Sequence, residues 1–245
     1  MSAGRRQERA GPLGQAGSTA AAGPRARLCL LLAVLGWTGL LLQLRLSVLG
    51  ALGSGGSVPA ALVAYFGYFT ILTNIFVALM ATAGTGVRWA RGRVLAALYR
   101  PHAVGCATTS ILVVGLVYHL LLRVDWPLWS AHWVADALLH YVVPSLSLLH
   151  WLLYRPVTPG AWTLPPLWAP LAWCAYPLAY LLYVLVRGPL VGAYPYFFLD
   201  VTAIGYARVL LNAAGLALLL SLMGLAVLGL KHLALSWVLL SSRSR

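Results

Sequence analysis

The chain has 245 residues, of which 61% are hydrophobic and 9% charged, and its formal net charge is +13. Soluble domains carry roughly 25% charged residues, so this composition excludes a water-soluble globular enzyme and makes lipid the solvent for most of the chain. Apolar stretches of the about 20 residues that a bilayer requires recur from Arg27 to His232, and no soluble domain is left over.

In chain order, residues 1–26 read as a disordered basic tail, rich in Gly, Ala and Arg. The apolar run that follows is too long for a signal peptide and lacks a small-residue cleavage pattern. Six spans are expected, at 28–48, 59–84, 102–123, 131–154, 166–187 and 207–230. Pro59 fits the first turn of the second span and Pro101 precedes the third. The second span is rich in aromatic and hydroxyl side chains: Tyr65, Tyr68, Phe69, Thr70, Thr73, Asn74 and Phe76. DWPLW, Asp125 to Trp129, reads as an interfacial aromatic belt. The fourth span carries His132, Asp136, His140 and His150, and Pro144 predicts a kink one turn below His140. TPGAWTLPPLWAP reads as a Trp/Pro-rich loop. GAYPYFFLDVTAIGY is too apolar for an ordinary loop and too short to span, and so predicts a re-entrant or lid-like stretch. HLALSWVLLSS is expected to form an interfacial helix within a short tail, 233–245. There is no internal or inverted repeat.

Charge sets the expected orientation. Thirteen basic residues fall before span one, between spans two and three, after span four and after span six. Arg45, Arg123, Arg187 and Arg208 fall on the opposite side. Basic residues collect in cytoplasmic loops, so both termini are expected in the cytoplasm. No basic face combines with stacking aromatics, which argues against a nucleic-acid partner. Cys29, Cys106 and Cys174 all lie in apolar spans with no CxxC spacing, and read as small buried hydrophobes.

Ionisable or reactive groups inside a span are expensive and mark candidate functional sites. Thr70 lies 11 residues past Pro59 and His140 lies 9 past Ala131. Both spans run inward, so a rise of 1.5 Å per residue puts both groups roughly 15 Å below the outer surface. His132, Asp136 and His140 share one helix face, and Asp136 could hold the His140 tautomer as the third member of a triad does. Thr70 and Asn74 share a face in the same way. A Thr hydroxyl needs a base to become a nucleophile, and Asn74 could donate to a developing oxyanion. The bland readings stand beside these: Thr70 back-bonding to its own helix, His140 as a structural hydrogen-bonding group, His132 and His150 as interfacial residues, and Asp200 pairing with Arg208. The His132–Asp136–His140 face could also take zinc or iron, and His119 with His132 and an inner His could ligate haem.

YFTILTN around Thr70, LLHYVVP around His140 and YPYFFLDV near Asp200 resemble a family of six-span bacterial integral membrane proteins. That family is similar, distantly, to the androgen-induced and androgen-dependent transmembrane hydrolases, which cleave fatty acid esters of hydroxy fatty acids with a Thr nucleophile and a His base. The resemblance covers Arg27 to about His232 and implies Thr70 as nucleophile and His140 as base, though Thr73 follows closely enough to compete.

The expectation is therefore an all-α polytopic protein, a bundle of six transmembrane helices in the bacterial cytoplasmic membrane. Its leading function is lipid-ester hydrolysis by Thr70, His140 and Asp136, with Asn74, Thr73, His119, Tyr196 and Asp200 contacting substrate and no metal or cofactor. The alternative is a non-enzymatic binder or transporter of a lipophilic molecule, with the same cluster as pocket or proton relay. A third reading is a structural membrane subunit.

Overall fold

The computed structural model describes residues 23–86, 93–154 and 164–243, which are helical with no strand among them. Helix α1 is Pro24–Gly53, α2 Val58–Tyr65, α3 Phe69–Gly84, α4 Arg93–Leu98 and α5 Pro101–Val117. Tyr118–Leu122 continues α5 as a π turn. Helix α6, Ala131–Ala137, passes through a second π turn, Leu138–Val142, into α7, Val143–Leu153. Helices α8, Ala169–Trp173, and α9, Ala175–Val191, are followed by a 3-10 turn at Phe197–Leu199 and by α10, Val201–Arg243.

Four of these helical runs are long and apolar enough to cross a membrane, and α2 with α3 makes a fifth, bent by 76°. The run Ala131–Leu153 is helical throughout, but His132, Asp136, His140 and His150 keep it out of that group. Large apolar side chains face outward, such as Leu41, Leu182, Leu190 and Leu211. That is the pattern of a surface solvated by hydrocarbon rather than water.

Several boundaries differ from those expected. The first helix begins at Pro24, inside the segment read as a tail; a proline at the first turn costs no helical hydrogen bond. Residues 1–22 and 155–163, with the first part of the Trp/Pro-rich loop, lie outside the described residues. HLALSWVLLSS is not a separate helix, because α10 runs on through it to Arg243. Near its start, α10 contains a non-helical residue, Gly205, at φ 74°. The second span is not one straight helix either: it breaks at residues 66–68, and counting depth at a constant rise per residue does not carry across that break.

The bundle is built by α1 packed along α3, α3 along α5, and α5 along α7 and α10. Small residues permit the closest approaches, as is usual where burial alone drives no association. A Cβ on Gly224 of α10 would come within 2.7 Å of Pro170 of α8. The core between them holds Val104, Ala107, Ile111, Trp151, Trp173 and Leu220.

Candidate functional site

The break at residues 66–68 places Thr70 at the second residue of α3 rather than mid-helix. At that position its N–H has no carbonyl four residues back in the same helix, and its hydroxyl has none to back-bond to. Both groups meet Tyr196 instead. The Thr70 N–H donates to the Tyr196 hydroxyl at 3.3 Å, and the two hydroxyls lie 3.4 Å apart. Tyr196 is 9% exposed. Burial pushes its phenol up from the ordinary value, so it faces Thr70 as a neutral O–H. The segment YPYFFLDV is thus neither a free loop nor a spanning element. It inserts Tyr196 onto the start of α3 and then makes the single 3-10 turn before α10.

Two side chains of α9 hold the break open. The Tyr180 hydroxyl donates to the Gly67 carbonyl at 2.9 Å. Arg187, 8% exposed, donates to Ala193 O at 3.0 Å and to Val63 O at 3.2 Å. Gly67 is needed for this approach, since a Cβ there would sit 3.1 Å from the guanidinium carbon.

Thr70 and Tyr196 border a cavity of about 570 Å³. The rest of its wall is almost wholly apolar: Val113, Val114 and Val117 of α5, Leu178 and Leu181 of α9, and Leu210, Ala214 and Ala217 of α10. A site of this size, apolar with a few placed polar groups, is the usual form of a small-molecule pocket.

The remaining candidates fall into separate groups. Asn74 is fully buried, and its amide donates to Thr70 O at 2.9 Å and to Leu139 O at 3.4 Å. Thr73 is also buried, 3.1 Å from the Tyr176 hydroxyl. His140 Nδ1 lies 3.1 Å from Asp136 Oδ1, so the expected acid–imidazole contact is present. The His140 ring stacks on Tyr118 at 3.6 Å with planes 13° apart. His119 Nδ1 is 3.2 Å from the Tyr141 hydroxyl. These contacts set the two π turns side by side. Pro144 has no N–H to offer the His140 carbonyl, and that carbonyl faces Gly115, where a Cβ would lie only 2.8 Å away.

Thr70 and His140 are joined through Asn74 and the backbone, not directly. Among the described residues no hydrogen bond links the two side chains, and His140 does not line the cavity that Thr70 borders. Asp136 borders a different cleft, with His119, Arg123, Trp126, Trp133 and Tyr141. His132 stacks on Trp126 at 4.5 Å. Among the described residues no three His, Cys, Asp or Glu side chains converge as a metal requires. Asp200 does not pair with Arg208. It caps α10 by accepting the Thr202 and Ala203 N–H groups at 2.9 and 3.2 Å, and the Thr202 hydroxyl bond holds its carboxyl below the ordinary value.

Comparison with known proteins adds no identity. No protein-family model, curated protein or solved structure matches this chain. What can be said of its activity therefore rests on the geometry.

The burial of two cations is not legible in the sequence. From the sequence, Arg187 reads as an outer-side charge and Lys231 as a charge beyond the sixth span. Lys231 is instead fully buried within α10 and donates to Trp151 O, Leu152 O and Tyr154 O at 2.7–2.8 Å. It closes the C-terminus of α7, where helix carbonyls lack partners. A lone lysine in a sequence with 17 basic residues was the available signal, because a short amine on a long stem suits a crowded cluster of carbonyls better than a planar guanidinium.

Proposed function

We propose that this chain is an integral membrane protein that holds a lipophilic, single-chain molecule in the cavity bordered by Thr70 and Tyr196. It crosses the membrane six times with both termini cytoplasmic, Ala131–Leu153 being the polar span, and its setting is a bacterial cytoplasmic membrane. The observation that carries the reading is the cavity itself: about 570 Å³, mostly apolar in its lining, with Thr70 and Tyr196 among the residues that border it. An alkyl chain gains by filling such a space, since an unfilled apolar cavity forfeits dispersion contacts. Native mass spectrometry of the purified chain with added lipophiles tests this. One bound molecule per chain is expected for the wild type, and loss of it in Ala217→Phe, which fills the cavity wall. Equal retention by Ala217→Phe would defeat the reading.

The hydrolase reading is favoured by one specific observation. Asn74 joins Thr70 O to Leu139 O, one residue from the His140–Asp136 pair. For catalysis the His140 ring must leave its stack on Tyr118 and reach the Thr70 hydroxyl, because nucleophile and base have to share a proton. Fluorophosphonate labelling of the wild type that disappears in Thr70→Ala supports the enzyme. Labelling that Thr70→Ala leaves unchanged removes Thr70 as nucleophile, and labelling lost only in Thr73→Ala moves the role there.

A further inference from the structure

The helices that wall the cavity do not seal it evenly. Two close contacts bound the seam where α8 and α9 run alongside α10. At one end, a Cβ on Gly224 of α10 would come within 2.7 Å of Pro170 in α8. At the other, Val184 of α9 shares a buried cluster with Leu199 and Val209. Between these contacts the cavity is lined by residues from Leu171 to Leu181 on one side of the seam and from Leu210 to Leu220 on the other. Three of these lining side chains also lie on the outer surface: Leu171 is 67% exposed, Leu178 56% and Leu210 54%. Side chains that border a cavity and the exterior at once mark a mouth. The far wall, at Val113 and Val114 of α5, is buried.

This mouth faces lipid rather than water. Both helical runs that flank it are long and apolar enough to cross a membrane. Their outward neighbours Leu182, Leu190 and Leu211 are apolar too. No charged side chain is among the described lining residues. A charged or zwitterionic head passing such a wall sheds its water and gains no partner. An alkyl chain only moves from one hydrocarbon setting to another. Thr70, Tyr180 and Tyr196 of the lining carry hydroxyls and no charge, which suits an oxygen borne on the chain rather than a charged head.

Length decides what fits the opening. Leu210 to Leu220 on α10 rises about 15 Å, half of a hydrocarbon core of roughly 30 Å. A spanning helix of a second copy or a partner runs through the whole core with about 20 residues, and an opening of half that length does not seat it. One alkyl chain reaching from a membrane surface toward the bilayer centre matches it.

We propose that the seam between α9 and α10 is a side entrance, through which the chain of a single-chain membrane lipid enters the cavity from the hydrocarbon core while its head stays at the membrane surface. This rests on the reading of the cavity as a lipophile site and adds the route and the lipid class.

The test uses the full chain in phospholipid vesicles and two photoprobes with the same alkyl diazirine chain. One is a neutral alcohol. The other is a lysophosphatidylcholine, whose zwitterionic head holds it at the membrane surface. Both are expected to label Val113 and Val114, with labelling suppressed by excess unlabelled lysophosphatidylcholine. Ala214→Trp, on the exposed rim of the mouth, is expected to lose the lysophosphatidylcholine labels on Val113 and Val114 and to keep those on Leu182. Alcohol labels on Val113 and Val114 with lysophosphatidylcholine labels only on outward residues overturn the side entrance and leave the lipophile site intact. Lysophosphatidylcholine labelling that Ala214→Trp leaves unchanged also overturns the seam as entrance. Neither probe reaching Val113 or Val114 overturns both readings. The wild-type comparison stands alone should Ala214→Trp fail to fold.

Discussion

The Tyr196 hydroxyl ties down both the N–H and the side chain of Thr70, at 3.3 and 3.4 Å, across 126 residues of sequence. That contact joins the broken second span to the segment leading into α10 and forms the polar edge of the cavity. Tyr196→Phe keeps the ring and its stacking on Phe198 but removes the hydroxyl. Affinity for a cavity ligand is expected to fall by about 0.5–1.5 kcal/mol, the worth of a net hydrogen bond. Titration of the same amphiphile into wild type and variant checks this; equal affinities would show that the hydroxyl takes no part.

Lys231→Met leaves the carbonyls of Trp151, Leu152 and Tyr154 without their ammonium donor. Unsatisfied buried acceptors cost about 1–3 kcal/mol each. Thermal unfolding in detergent is therefore expected to shift down by several degrees. An unchanged midpoint would mean that other donors or water take over these carbonyls.

Gly115→Ala puts a methyl carbon 2.8 Å from the His140 carbonyl, a contact with backbone rather than with a flexible side chain. Overpacking of this kind costs about 1–3 kcal/mol. The strain falls on the π turn that carries His140, so altered near-ultraviolet signals from the stacked Tyr118–His140 pair should accompany the loss in stability. Gly50, with open space around it, serves as the control position, and Gly50→Ala should leave both measurements unchanged.

Asp200 has its carboxyl held below the ordinary value of 3.8, chiefly by the Thr202 hydroxyl and then by the backbone N–H groups it caps. A depressed carboxyl contributes stability above its unfolded value, and that contribution disappears as pH falls through the folded one. Wild type should therefore unfold at a higher temperature than Asp200→Ala at neutral pH. The difference should begin to shrink once the pH drops below 3.8 and vanish only below the lower folded value. A gap that persists in acid would show that the cap does not depend on the carboxylate.

How much of this was legible in the sequence depends on the range of the interaction concerned. Pro101 at the start of α5 is a local effect of a missing N–H and was readable; Pro144 stands in the first turn of α7, just past the π turn that carries His140. The pairing of Asp136 with His140 follows from their spacing of four on one helix. The break before Thr70 was not readable. YFGYFTILTN contains one glycine and no proline, and an apolar run of that composition can continue as a helix. What opens it are Tyr180 and Arg187, more than a hundred residues away. Lys231 was misplaced for a related reason. A charge near the end of an apolar run reads as a loop residue, unless the carbonyls it serves, contributed by another helix, are known.

The proposed occupant of the cavity between α5, α9 and α10 is an alkyl chain. The most direct measurement is photo-crosslinking with an alkyl diazirine lipophile, followed by mass-spectrometric mapping of the labelled residues. Labels are expected on Val113, Val117, Leu181 and Ala214, which line the cavity, together with their suppression by excess unlabelled competitor. Labels confined to outward-facing residues such as Leu190 and Leu211, unaffected by competitor, would contradict it.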